Sequence, residues 1–319
     1  MPGFDAYDHL NISLNPDGTL KRHLKIPTLP ATPNVLAPDQ PTVSKDVTLD
    51  ADKKTFLRIF RPTKLPSNDT SVAKLPIIIY VHGGGFIDFS PATAMIHDHC
   101  SKMAVEIPAV LVSVDYRLAP ESRLPAQYED AVDAILWVKK QAELGEEGDE
   151  WLRDYGDFSR CNLYGASNGA NIVFHAALRA MDHNLEPMKI TGLILNQPMF
   201  SGNKRTRSEL KFATDQFLPL PAIDLYWHLS LPPGTDRDHR YSNPMADGPH
   251  KEKIKSLGRC LVVGFGGDPM VDKQQAFVQM LILEGVPVEA RFDNIGFHGI
   301  DLIDARRAAA LLTFIKEFV

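Results

Sequence analysis

Residues 163–181 read LYGASNGANIVFHAALRAM, and the change of texture along this stretch decides the fold. The short apolar run Leu163-Tyr164 gives way to Gly165-Ala166-Ser167-Asn168-Gly169, then to Ala170–Met181, a helical pattern. A strand that turns into a helix this sharply needs small residues around a strained backbone. Gly165, Ala166 and Gly169 supply them and lift the Ser167 hydroxyl clear of the strand end. A Gly-x-Ser-x-Gly pattern alone also fits a plain glycine-rich turn. Its place between strand and helix favours a nucleophilic serine.

The same alternation extends in both directions. Ile77–Val81, Ala109–Val114, Ile190–Leu195 and Leu261–Gly264 are short and nearly all apolar, and Val288–Phe292 reads as a late strand. Between them lie the helical patterns Ala92–Val105, Ala126–Gln141, Ala170–Met181 and Lys273–Leu283. Apolar strands alternating with amphipathic helices predict an α/β fold, a mostly parallel sheet with helices on both faces. Asp304–Val319 predicts a closing helix, capped by Asp304, with Ala308, Leu311, Leu312 and Ile315 as its apolar stripe.

Two stretches break the rhythm. Residues 1–45 read as mostly irregular, with a turn at Asn15-Pro16-Asp17-Gly18 and prolines at 27, 30, 33, 38 and 41 that exclude a continuous helix. Strand candidates Val43–Leu49 and Phe56–Arg61 follow. Residues 201–250 contain six prolines and no sheet-like run, with a short helix expected at Ala222–Leu229. The expected organisation is an N-terminal cap segment at 1–45 and a main domain at 46–319, interrupted by a cap insertion at approximately 201–250. Loops of such length are usually functional.

The chain has 319 residues, 34 Lys plus Arg against 40 Asp plus Glu, and a formal charge of −6, which argues against nucleic acid as a partner. Cys100, Cys161 and Cys260 are odd in number and far apart, without CxxC or zinc spacing. Buried thiols are expected, with no metal and no cofactor. No run approaches a membrane span, and the N-terminus lacks the apolar core of a secretory signal. The expected home is the cytoplasm. The sequons at Asn11 and Asn68 then read as coincidental.

His82-Gly83-Gly84-Gly85 follows strand Ile77–Val81 directly, and three successive glycines leave their N–H groups unobstructed. The N–H groups of Gly83, Gly84 and Asn168 are candidates to hold a negative charge developing beside Ser167. No GxxxxGK[ST] or GxGxxG accompanies the loop, so nucleotide binding is a poor rival. His82 fits a loop-orienting role. A serine nucleophile needs a base and an orienting carboxylate. His298, in Gly296-Phe297-His298-Gly299, follows the late strand, and Asp268 comes straight off strand Leu261–Gly264. Asp272 is the near rival, although it more naturally caps the next helix.

With these motifs assembled, the sequence resembles the plant carboxylesterases of the hormone-sensitive-lipase-like group, in the α/β-hydrolase superfamily. The resemblance runs through Asn15–Gly18, His82–Phe86, Asp115-Tyr116-Arg117-Leu118-Ala119-Pro120-Glu121, Gly165–Gly169, Gly267–Asp272 and Phe297–Gly299. It implies a serine esterase with Ser167 as nucleophile, His298 as base and Asp268 as its partner, an HGGG oxyanion loop, and a cap partly made by the N-terminus. It also marks Asp115–Glu121 as structural, and the residues themselves suggest an Asp115–Arg117 pair. Two positions depart from the family pattern: Ala166 stands where an acid is usual, and Asn168 where a small alanine or serine is usual. Dehydratase-like or alkaloid-cyclase-like chemistry, or a non-catalytic receptor, are the alternatives found among similar plant proteins.

The expected activity is hydrolysis of small, short-acyl esters, possibly acetyl, of plant metabolites. Phe86, Ile87, Phe200, Phe217, Leu218, Leu225, Trp227, Phe297 and Ile300 are the candidate apolar walls of the pocket. Asp88, an acid in the otherwise apolar Phe86–Phe89 run, either meets a basic substrate nitrogen or faces water. The expected partner is a small-molecule ester, with no nucleic acid and no membrane, and the chain a monomer or weak homodimer.

Overall fold

The structure, a computed structural model, describes residues 4–319 apart from Pro66, Asp69, Thr70 and Ala73. The sequon at Asn68 therefore lies partly outside the described residues. Eight strands build the central sheet: β1 (Thr42–Asp50), β2 (Thr55–Pro62), β3 (Leu75–Val81), β4 (Val110–Val114), β5 (Gly156–Ala166), β6 (Ile190–Asn196), β7 (Arg259–Phe265) and β8 (Val288–Asp293). Their spatial order is β1-β2-β4-β3-β5-β6-β7-β8, with β3 to β8 parallel and β2 antiparallel to both its neighbours. This is the α/β-hydrolase fold.

The central strands are apolar along their whole length because both sheet faces are covered. All seven residues of β3 and all five of β4 are buried. The principal helices are α1 (Ala94–Glu106), α2 (Ala126–Leu144), α3 (Asn168–Ala180), α4 (Leu220–Ser230), α5 (Val271–Leu283) and α6 (Ala305–Phe318). One core gathers α2, α3 and α5 with one face of the sheet, and a second gathers α1 and α6 with the other. Asp304 caps α6 by accepting from the N–H groups of Arg306 and Arg307, and Leu311, Leu312 and Ile315 are buried beneath it. The three cysteines are buried free thiols, each pushed up to about 12 by burial.

Two irregular stretches are more ordered than their composition suggests. Residues 6–22 form a one-turn helix, Ala6–His9, and a hairpin pairing Ile12–Leu14 with Leu20–Arg22, closed by the expected turn at Asn15–Gly18. The proline-bearing segment after it lies along the body: Leu29 N–H donates to Ala92 O, and Ala94 N–H to Pro27 O. Beneath it the buried Arg58 donates to both oxygens of Asp46 (2.7 and 2.8 Å) and to Leu29 O (2.7 Å). The long insertion contains α4 and two one-turn helices, Arg207–Lys211 and His250–Ile254. Ala6–His9 packs on α4, so the N-terminal segment and the insertion meet.

The Asp115–Arg117 pair suggested by the sequence does not form. Arg117 instead holds Asp130 on α2, with its backbone N–H at 2.9 Å and its Nε at 2.9 and 3.0 Å. Among the described residues Asp115 has no cation against it, and burial, with Asp130 and Asp46 nearby, pushes its carboxyl up to about 7.

At the end of β5 the chain approaches itself closely. A Cβ on Gly169 would lie 2.2 Å from Val81 O, and one on Gly165 would lie 2.2 Å from Gly169 O. Both obstacles are backbone, so they cannot swing away. Gly169→Ala is expected to cost about 3 kcal/mol or more. Gly234→Ala, with open space around it at φ +79°, should cost only about 1 kcal/mol of left-handed strain. Urea unfolding midpoints of the two variants check this, and equal losses would contradict it.

Candidate active site

Ser167 sits between β5 and α3 at φ 56°, ψ −122°, a conformation that L-residues rarely adopt. Hydrogen bonds from three directions hold it. Ser167 N–H donates to Asn196 O at the end of β6 (2.8 Å), while Ser167 O accepts from Met199 N–H (3.0 Å) and Ala170 N–H (3.1 Å). The turn projects Oγ towards the loop after β8. His298 Nε2 lies 2.9 Å from Oγ, and His298 Nδ1 lies 2.8 Å from Asp268 Oδ2.

Asp268 is fully buried and amply solvated by protein donors: Met270 N–H (2.8 Å), Gln274 Nε2 (2.8 Å) and Gln197 Nε2 (3.3 Å). Burial pulls the His298 imidazole down, but the charge and hydrogen bond of Asp268 outweigh it and hold the group above its ordinary value. A chain of this kind can pass the hydroxyl proton to the imidazole and stabilise the resulting cation. Asp272 has another partner: its carboxylate accepts from Ser208 N–H in the insertion (2.8 Å), so it neither reaches His298 nor caps α5.

The loop after β3 closes the other side. A Cβ on Gly83 would lie 3.4 Å from Ser167 Cβ, so this glycine abuts the serine directly. Gly84 and Gly85 both have positive φ, and Gly85 lies under the ring of Tyr226 on α4, where no side chain fits. Asn168 N–H, at the first position of α3, is one of the donors a helix start leaves free. Gly83 and Gly84 line the cavity beside Ser167. His82 is wholly buried, stacked on Tyr116 at 4.4 Å, and bonded through Nδ1 to Gly83 O (2.8 Å). Burial pulls it down to about 4, so it is neutral near pH 7.

Two side chains matter here beyond their sequence-based reading. The Asn168 amide, considered above only for its backbone, accepts from Gly85 N–H (2.7 Å) and donates to the Tyr116 hydroxyl (3.0 Å), which itself donates to His82 O (3.0 Å). Elbow and glycine loop are thus joined by one amide. Gln197, absent from the sequence reading, touches Asp268, accepts from Gly299 N–H (2.9 Å) and donates to Phe297 O (3.1 Å), bracing the histidine loop. Its position directly after the end of β6 was the only sequence signal.

Beside Ser167 and His298 is a cavity of about 290 Å³. Phe217 and Leu218 line it, as expected, joined by Phe89, Met95, Ile96 and Tyr226. Most of the other expected wall residues lie elsewhere. Phe86, Ile87, Phe200 and Trp227 are fully buried core, with Phe86 against Trp227 and Phe200 stacked on Phe277. Leu225 and Ile300 are also packed inward, and Phe297 stacks on Phe217 at 5.2 Å. Asp88 does not line the cavity, and its side chain is partly exposed to water. Its carboxylate is half-buried 3.7 Å from Arg22, whose guanidinium also binds Glu121 (3.0 Å, twice) and Ile87 O (2.6 Å). Arg22 ties the N-terminal hairpin to the glycine loop and consumes the acid.

Replacing Asn168 with alanine strands the buried Gly85 N–H and removes a donor from Tyr116. A loss of about 1–3 kcal/mol in unfolding free energy is expected, and an unchanged urea midpoint would contradict the bridging role.

A family profile described as alpha/beta hydrolase fold matches residues 78–302. The chain is 54% identical over 319 residues to probable carboxylesterase 9 of Arabidopsis thaliana, covering 100% of this chain and 98% of that one. It is 46% identical over 321 residues to 3-O-acetylpapaveroxine carboxylesterase CXE2 of Papaver somniferum, covering 99% of each. Among solved structures, a fungal esterase from Rhizomucor miehei superposes with a TM-score of 0.72 at 25% identity, over 88% of this chain and 82% of that one. Sequence, sheet order and relatives agree, and the chain belongs to the plant carboxylesterase family of α/β-hydrolases.

Proposed function

We propose that the protein is a serine carboxylesterase acting on small esters with short acyl groups, acetate foremost. The observation that carries this reading is the unbroken Ser167–His298–Asp268 hydrogen-bond chain beside a cavity that Ser167, His298, Gly83 and Gly84 line. A cavity of about 290 Å³ is at the small end for a ligand site and suits a short acyl chain. A relative at 46% identity is named for an acetylated substrate, which agrees with the acyl size.

In the cycle His298 Nε2 takes the Ser167 proton as Oγ attacks the ester carbonyl. The N–H groups of Gly83, Gly84 and Asn168 receive the oxyanion, and Asp268 holds the imidazole tautomer and balances the cation. The imidazolium then protonates the departing alkoxide. Water, deprotonated by the same nitrogen, splits the acyl-enzyme into acid and free Ser167. In this reading the N-terminal segment and the insertion act as the cap, since α4 supplies Tyr226 to the cavity and to the glycine loop.

Ser167→Ala should lower p-nitrophenyl acetate turnover by about 10³-fold or more while the circular dichroism and unfolding midpoint stay unchanged. Intact mass after a fluorophosphonate should show one adduct on the wild type and none on the variant. Near-normal turnover in the variant would refute the nucleophile.

The base must be neutral to act. With His298 held above its ordinary value by Asp268, the acid limb of kcat/KM should lie above the ordinary imidazole value of about 6.5. Asp268→Asn should lower the residual activity by roughly 10³–10⁴-fold and move that limb to lower pH. A limb that ignores the substitution would remove Asp268 from the role.

A further inference from the structure

The cavity wall contains a polar cluster that the hydrolytic cycle leaves unused. Asp301, on the turn just after His298, is 7% exposed, and only one carboxylate oxygen is satisfied: Oδ2 accepts from Asn196 Nδ2 at 3.2 Å. Among the described residues Oδ1 has no hydrogen-bond partner. Tyr80, His99, Asn196 and Asp301 all line the cavity, and the Tyr80 and Tyr164 rings pack at 4.9 Å. No lysine or arginine lines the cavity among the described residues. Burial holds the His99 imidazole low despite Asp301, and no hydrogen bond joins the two.

A buried carboxylate is acceptor-only and costly unless a charge meets it. A neutral hydroxyl would satisfy the oxygen without balancing the charge. A protonated amine does both. Resting on the esterase reading above, we propose that Asp301, with Asn196, Tyr80 and His99, forms a subsite for a protonated amine, so that the preferred substrates are esters of basic, nitrogen-containing alcohols. The sequence offered Asp88 as one candidate for such a contact, and Arg22 stands 3.7 Å from it.

Two acetate pairs test it: 2-(dimethylamino)ethyl acetate against 3-methylbutyl acetate, and 3-(dimethylamino)propyl acetate against 4-methylpentyl acetate. Each pair differs by one nitrogen replacing CH. For at least one pair, wild-type kcat/KM near pH 7 should favour the amine by about tenfold or more. In Asp301→Asn that preference should vanish through the amine ester alone, with the neutral ester within about threefold of wild type. Equal treatment of both members by the wild type overturns the subsite. Equal slowing of both by the variant also overturns it, because Asp301 would then act through His298.

Calorimetric binding of the same pairs to Ser167→Ala separates the two proposals. Amine preference there without hydrolysis by the wild type would sink the esterase reading and leave the subsite standing. Hydrolysis of both esters without preference would sink the subsite alone. Should Asp301→Asn fail to fold, the wild-type and Ser167→Ala comparisons still decide.

Discussion

The left-handed backbone of Ser167 is the constraint around which this molecule is arranged. A non-glycine residue held there is strained by about 1–3 kcal/mol, and it persists because its surroundings allow nothing else. Its N–H is taken by β6 and its carbonyl by the chain leaving β6. On either side Gly165 and Gly169 have backbone where a side chain would be. The contact of Gly169 with Val81 and His82 brings the start of α3 against the end of β3. The turn that exposes the hydroxyl therefore also sets the glycine loop beside it, so Ser167 and Gly83–Gly85 are positioned by one packing event.

A second layer of polar contacts makes that arrangement rigid. The Asn168 amide spans from the elbow to Gly85 and Tyr116, and Tyr116 in turn holds His82. The departure from the usual small residue at position 168 is thus compensated locally: the longer side chain replaces open space with two hydrogen bonds. Nothing comparable compensates Ala166, and nothing in the structure explains the loss of the usual acid there. On the far side Gln197 braces both Asp268 and the histidine loop. Arg22 reaches from the N-terminal hairpin to the glycine loop and Glu121, so the N-terminal hairpin bears on the same geometry.

The elements whose identity depends on local texture were readable in advance. Apolar runs become buried parallel strands because both sheet faces are covered, and the run at Ile77–Val81 or Val110–Val114 has no other comfortable place. Asp304 announced the start of α6, since a capping carboxylate acts within its own turn. The N-terminal hairpin was missed because its strands are three residues each, too short for a period-2 pattern, and pairing with each other is what makes them strands. The Asp115–Arg117 pairing failed for a similar reason. Arg117 found Asp130, thirteen residues away, because α2 packs there.

The sequence by itself determined the α/β class, the elbow, the glycine loop, and Asp268 and His298 as the residues to be brought to it. These follow from local backbone demands and from the chain order of strand ends, which the alternation of apolar strands and helices already implies. Only the tertiary structure decided what surrounds the serine. Phe86, Phe200 and Trp227 look like pocket walls in a list of apolar residues, yet each is core, since an aromatic side chain near a loop can turn inward as easily as out. Asp88 and Asp301 are equally plausible acids in one dimension. Which one lines the cavity and which is held by Arg22 depends on where Arg22 lands, and a contact across sixty-six residues is a property of packing alone.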